Sequence, residues 1–214
     1  MTTADAWIYP GEVTLGRDQR VSIPRRRLPP PSDEVINLAR EGNAEARGAL
    51  LATWVPVVLA WCSRLGGPRV DPDDAAQDVW MVALRRLDQL HRAEIFASWM
   101  FGITRRVLAQ HRRRVWGRRR SPLDVESMVH EEGSRAGAHR AEIRRKVWEV
   151  LVSLPLKQRE TLVLMDLEGW STREVAEMTG VPSGTVASRL RLARQRFERT
   201  ARARGLAQLL EAEQ

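Results

Sequence analysis

The chain has 214 residues, enough for one medium domain or two small ones. Hydrophobic residues make up 43% and charged residues 29%, a globular balance, and abundant Arg, Ala, Leu and Glu without alternating Val, Ile and Thr runs point to helices. A net charge of +8 asks for a polyanionic partner, nucleic acid or an anionic surface, while Cys62, the one cysteine, excludes an intrachain disulfide and a cysteine-rich zinc site.

Residues 1–32 contain "VSIPRRRLPPPS", whose prolines forbid helix, so a Pro-rich flexible leader is expected. The start, "MTTADAWIYPGEVTLG", lacks a basic region followed by an apolar one and does not read as a signal peptide. No unbroken apolar run of about 18 residues occurs, so no membrane span is expected and the reducing cytoplasm is the default location.

Residues 33–117 read as a helical domain. Leu50, Trp54, Val58, Trp61 and Leu65 recur at helical steps and form an apolar stripe. Pro56 within that stripe predicts a kink or a break. "GGPRVDPDD" interrupts the pattern, and Asp71 or Asp73 can cap the next helix. That helix carries Ala76, Val79, Trp80, Ala83, Leu84 and Leu87 on one face. A further helix over about 94–115 is expected to bury Phe96, Trp99, Met100, Ile103 and Val107.

Residues 118–140 lose periodicity and read as a linker; 141–204 regain helical patterning, and 205–214 form a tail. The expected fold class is all-α, with two small helical domains joined by a flexible linker. The C-terminal domain ends in a helix-turn-helix. There, Ser171 and Glu174 form a capping box, Gly180 ends the first helix in a left-handed turn, and Pro182 stops its continuation. Ala176 is small where the second helix is expected to cross, and Val186 and Leu190 face back from that helix. The second helix bears Arg189, Arg191, Arg194, Arg196 and Arg199, the charge a recognition helix needs for phosphates and guanines.

A second basic surface lies at "RRVLAQHRRRVWGRRR", residues 105–120, with eight arginines and no acid. On a helical wheel Phe101, Arg105, Leu108 and Arg112 lie opposite Ile103. An outward aromatic among arginines suits unstacked bases, because rings stack on bases while cations hold the backbone. Asp74, Gln77, Asp78 and Met81 lie opposite the apolar stripe of their own helix and, taken alone, read as solvated surface. Enzymatic chemistry finds little support. His91, His111, His130 and His139 lack metal spacing, helix capping explains "DPDD", and Cys62 sits on an apolar stripe as a core residue. No catalytic residue, metal site or cofactor is expected.

With these residues in place, the chain over about 35–200 resembles a bacterial RNA polymerase sigma factor of the extracytoplasmic-function (ECF) class, sigma-70 family. "DPDDAAQDVWMVALRRLDQL" resembles the segment that grips the clamp helices of the polymerase largest subunit. "FASWMFGITRRVLAQHRRR" resembles the segment that opens and holds the minus-ten element. "LPLKQRETLVLMDLEGWSTREVAEMTGVPSGTVASRLRLAR" resembles the domain that reads the minus-thirty-five element. The resemblance implies that Asp74, Gln77, Asp78 and Met81 contact polymerase, reversing the isolated reading of that strip. It implies that the loop at about 88–97, with His91, Arg92 and Glu94, captures a flipped minus-ten base. Trp99, Phe101, Arg105, Arg106, Arg112 and Arg113 would hold the opened strand. Thr172, Arg173, Ser183, Thr185, Ala187, Ser188, Arg189, Arg191 and Arg194 would meet the minus-thirty-five element. The implied partners are core RNA polymerase (clamp helices and beta flap), promoter DNA, and an anti-sigma factor that wedges between the domains. Arg106, Gln110, Ala187, Arg191 and Leu192 depart from common family residues, so the resemblance carries over no promoter sequence. The alternative is a stand-alone helix-turn-helix regulator, which has no need of the "DDAAQDVW" helix backed by the arginine helix.

Overall fold

A computed structural model describes residues 11–14, 20–23, 28–116 and 135–211. Contacts divide the chain into two compact units. One holds described residues 28–116; the other holds 11–14, 20–23 and 135–211.

The first unit is helical throughout its regular elements. Helix α1, Asp33–Arg40, starts where the Ser32 side chain accepts from the Val35 N–H, with Asp33 and Glu34 in the first turn. Helix α2, Ala44–Gly66, starts at Asn43, whose side chain accepts from the Ala46 N–H at 2.9 Å. It runs unbroken through Pro56, against the break expected there. The cost is one missing N–H donor, and burial of the stripe on both sides of Pro56 outweighs it. Helix α3, Pro72–Arg85, is capped by Asp71, which accepts from the Asp73 and Asp74 N–H groups. Two short 3₁₀ turns, Leu87–Gln89 and Ala93–Ile95, lead into helix α4, Phe96–Trp116.

The core of this unit is aromatic. Leu50, Trp54, Val58, Trp61 and Leu65 are all buried. Trp54 meets Phe96 edge-on at 5.0 Å between centroids, and Trp61 meets Phe101 at 5.3 Å. Each such ring contributes about 2–3 kcal/mol by burial and roughly 1 more by edge-to-face contact. Val79, Trp80 and Ala83 of α3 are buried as expected, whereas Leu84 and Trp99 are half-buried. Against the expectation of no span, α2 is long and apolar enough to cross a membrane by length and composition alone. Its stripe is taken up by packing against α1, α3 and α4.

The second unit departs from expectation at both ends. Within the leader, strands β1, Gly11–Thr14, and β2, Arg20–Ile23, pair antiparallel, with Val13 opposite Val21. Prolines fall outside both strands, and the β-branched residues between them favour pairing. Helix α5, Arg135–Ser153, begins inside the stretch read as linker, so 135–140 are helical. The rest of that stretch, with His130, lies outside the described residues. After Pro155 come helix α6, Leu156–Leu162, and a π-helical turn, Val163–Leu167, closed by the Glu168 N–H on the Val163 carbonyl at 3.0 Å. Strand β1 lies against this turn. Helices α7, Thr172–Thr179, and α8, Ser183–Ala203, follow. The tail is a helix too: α9, Leu206–Glu211, buries Leu206 and receives His139 on the Leu209 carbonyl. Leu151, Leu164, Val175, Val186, Ala193 and Phe197 form the core.

Candidate nucleic-acid interface

The helix-turn-helix is built from local chemistry. The Ser171 Oγ accepts from the Glu174 N–H, and the Glu174 carboxylate accepts from the Ser171 N–H at 2.9 Å. Gly180 takes φ 70°, ψ 32°, the left-handed conformation that costs other residues energy. Its N–H donates to the Ala176 carbonyl at 2.9 Å, and the Val181 N–H shares that acceptor. Ala176 itself is half-buried. Pro182 precedes α8, which buries Val186, Leu190, Ala193 and Phe197.

Burying that stripe leaves a polar face outside. Ser183, Ala187, Ser188 and Arg191 are exposed; Thr172, Thr185 and Arg189 are half-buried at the same end. Arg173 is exposed and pairs with Glu177 one turn on at 3.1 Å. Arg194, expected at the minus-thirty-five element, is held by Asp166. Its Nε donates to Asp166 Oδ2 at 2.9 Å and its Nη2 to Oδ1 at 2.5 Å. The hydrogen bond to Asp166, opposed by some desolvation, raises the Arg194 pKa above its ordinary value.

On α4 the largest correction is Phe101. It is fully buried against Trp61, and Leu108 is buried with it, so neither can stack on a base. The buried side chains form one broad arc of the helix, with Ile103 and Val107 towards one edge, Met100 and Thr104 in the middle, and Leu108 and Phe101 at the other edge. The outward set is Arg106, Arg113 and Arg114. Arg105 and Arg112 are half-buried, and Arg112 donates to the Leu65 carbonyl in the last turn of α2 at 3.1 Å. Exposed Arg106 donates back to the Gly102 carbonyl through Nε at 3.1 Å. His91, Arg92 and Glu94 are exposed around the second 3₁₀ turn, and Arg92 donates twice to Glu94. That hydrogen bond raises the Arg92 pKa. Trp99 is half-buried, its ring 6.0 Å from Phe96.

On α3, Asp74, Gln77 and Met81 are exposed, Met81 at 48%, on the side away from buried Ala75, Val79 and Trp80. Asp78 is shared with α4: its Oδ2 lies 2.8 Å from His111 Nε2 and 3.8 Å from Arg114 Nη1. Sequence reasoning missed His111 and Arg114 as its partners, and Asp166 as the partner of Arg194. These pairs span separate helices, and no periodicity signals them. Burial, with Asp73 nearby, pushes the Cys62 thiol up to about 12. Among the described residues no group of three His, Cys, Asp or Glu side chains could hold a metal ion.

Comparison with known proteins follows the same division. Residues 50–118 match Sigma-70 region 2, and residues 144–197 match Sigma-70, region 4. The ECF RNA polymerase sigma-E factor of Escherichia coli K12 is 27% identical over 179 residues, 78% of this chain and 93% of that protein. CnrH, solved in complex with the cytosolic domain of CnrY, is 26% identical with a TM-score of 0.56, covering 85% of this chain and 97% of that one. RpoE of Bartonella quintana, solved with the anti-sigma factor NepR, shares the fold at 22% identity and a TM-score of 0.55, over 72% of this chain and 96% of that one. Most of α2 and all of α3 and α4, with the acidic strip and the arginine helix, fall in the region 2 match, and α7 with most of α8 falls in the region 4 match. The chain belongs to the ECF class of the sigma-70 family, and is a non-enzymatic factor that directs transcription initiation at specific promoters.

Proposed function

We propose that this sigma factor takes hold of core polymerase through Asp74, Gln77 and Met81 on α3, with Asp78 behind them. The observation that carries this is a helix whose Ala75, Val79, Trp80 and Ala83 are buried while an acidic-polar strip stays exposed. A stand-alone regulator has no use for such a strip. The minus-ten strand lies along exposed Arg106 and Arg113, with half-buried Arg105 and Trp99 beside them. His91, Arg92 and Glu94 surround the captured base, whose unstacking their contacts offset. The minus-thirty-five duplex meets Ser183, Thr185, Ala187, Ser188, Arg189 and Arg191, with Thr172 and Arg173 on the backbone. A protein inhibitor covers one of these faces in the resting state, as the NepR complex of RpoE suggests by likeness of fold. The setting is the cytoplasm.

The test is run-off transcription with purified core polymerase on the DNA upstream of its own gene. Initiation at one start requires this protein. The Asp74→Ala, Gln77→Ala double variant lowers initiation and core affinity by about tenfold each, with helix content unchanged. Failure of the wild-type chain to bind core polymerase in a pull-down sinks the proposal.

A further inference from the structure

We propose that Arg194 is a positioning residue: it sets the angle of α8 by clamping it to Asp166 on the 163–167 turn, and it neutralises no DNA phosphate. This rests on the promoter-reading role given to α8.

Three observations carry it. The pair is bidentate, at 2.9 and 2.5 Å, the geometry in which a guanidinium fixes direction as well as distance. Its burial is one-sided: the Asp166 side chain is 11% exposed and that of Arg194 60%. A phosphate that drew Arg194 away would strip a largely buried carboxylate of both bonds. That costs more than an exposed phosphate contact returns. Finally, Asp166 sits in a π-helical turn, where one extra residue per turn redirects side chains relative to α6. The clamp therefore joins a turn of specific register to the middle of the recognition helix, one turn beyond exposed Arg191.

The two roles predict opposite signs for Asp166→Asn. That change makes the protein more positive. If Asp166 merely withheld Arg194 from DNA, the change would free a cation and tighten binding. If the pair positions α8, the same change weakens sequence preference. The full chain, assembled with core polymerase, is used to enrich a duplex from a randomised pool. Binding to that duplex and to a scrambled one is then measured across a salt series. The expected result is a fall of about tenfold in the preference ratio for Asp166→Asn. The slope of log K against log salt stays unchanged. Arg194→Lys keeps the charge and one bond, so the fold is retained; it lowers the ratio in the same way, because an ammonium cannot hold the fork. Tighter binding of both duplexes by Asp166→Asn, with a slope steeper by about 0.9, overturns the positioning role. So does full retention of preference in Arg194→Lys. Failure of the wild-type chain to enrich any duplex overturns the promoter-reading role of α8 itself, a separate outcome.

Discussion

Phe101 and Arg105 are one helical turn apart, and a wheel drawn on α4 alone puts both outside. The ring is instead 0% exposed and edge-on to Trp61. The buried arc of α4 is wide because α2 and α3 both pack against it, and a narrow-stripe reading assigns its Phe101 edge to solvent. Phe101→Ala should cost about 3–5 kcal/mol, read as a lower melting temperature of the first unit, whereas Phe101→Leu should keep most of the stability and all of the DNA affinity. Loss of DNA affinity by a fully folded Phe101→Leu protein would restore a stacking role. Cys62 gives a second residue-scale expectation. Its thiol is raised from 9.0 to about 12 in the folded chain, so the unfolded chain loses its proton first. The stabilising difference is complete below pH 9.0 and is lost as pH rises towards 12. A Cys62→Ala chain should lack this alkaline slope in denaturation at stepped pH, whatever its stability at neutral pH. What was legible at this scale is local. Asp71 and the Ser171–Glu174 box bond within three residues of themselves and follow from spacing. Asp78 with His111, and Asp166 with Arg194, depend on how helices cross, which spacing does not carry.

Among elements, Pro56 was legible as a defect and illegible as a tolerated one. The helix continues because Trp54 and Val58 on either side are buried, and the tertiary gain exceeds the lost bond. Pro56→Ala should restore a donor to the Ala52 carbonyl and stabilise the first unit by about 1–3 kcal/mol in chemical denaturation. A destabilised variant would mean that the ring itself is packing the helix. Gly180 offers the converse. No atom lies within 4 Å of an added Cβ, so only the positive φ resists substitution. Gly180→Ala should therefore cost about 1–2 kcal/mol, and Gly180→Asn less, measured by melting the second unit. The hairpin was missed because prolines on either side of it dominated the reading, and the 135–140 turn of α5 because Gly and Ser in the linker outweighed its alanines and arginines.

For the molecule as a whole, the formal charge of +8 overstates the charge offered to nucleic acid. Arg112 is spent on a carbonyl of α2 and Arg194 on Asp166. Exposed Arg106 and Arg113 remain outward on α4. Replacing both with Ala should lower the salt slope for a single-stranded oligonucleotide by about 1.4, at roughly 0.7 per phosphate, in a fluorescence titration. An unchanged slope would remove α4 from the strand path. The π-helical turn at 163–167 has a consequence for chain length rather than for composition. Such a turn accommodates an extra residue without ending the helix, so its inverse, a one-residue deletion, is a mutation the backbone can absorb. Deleting half-buried Met165 should return the turn to ordinary α-helix with helical content preserved and the flanking residues in register, and lose only the redirected aim of the side chains inside the turn, Asp166 among them. The chain would keep its shape by circular dichroism and lose its choice of promoter, so the extra residue of this turn is as much a determinant of specificity as the residues that touch DNA.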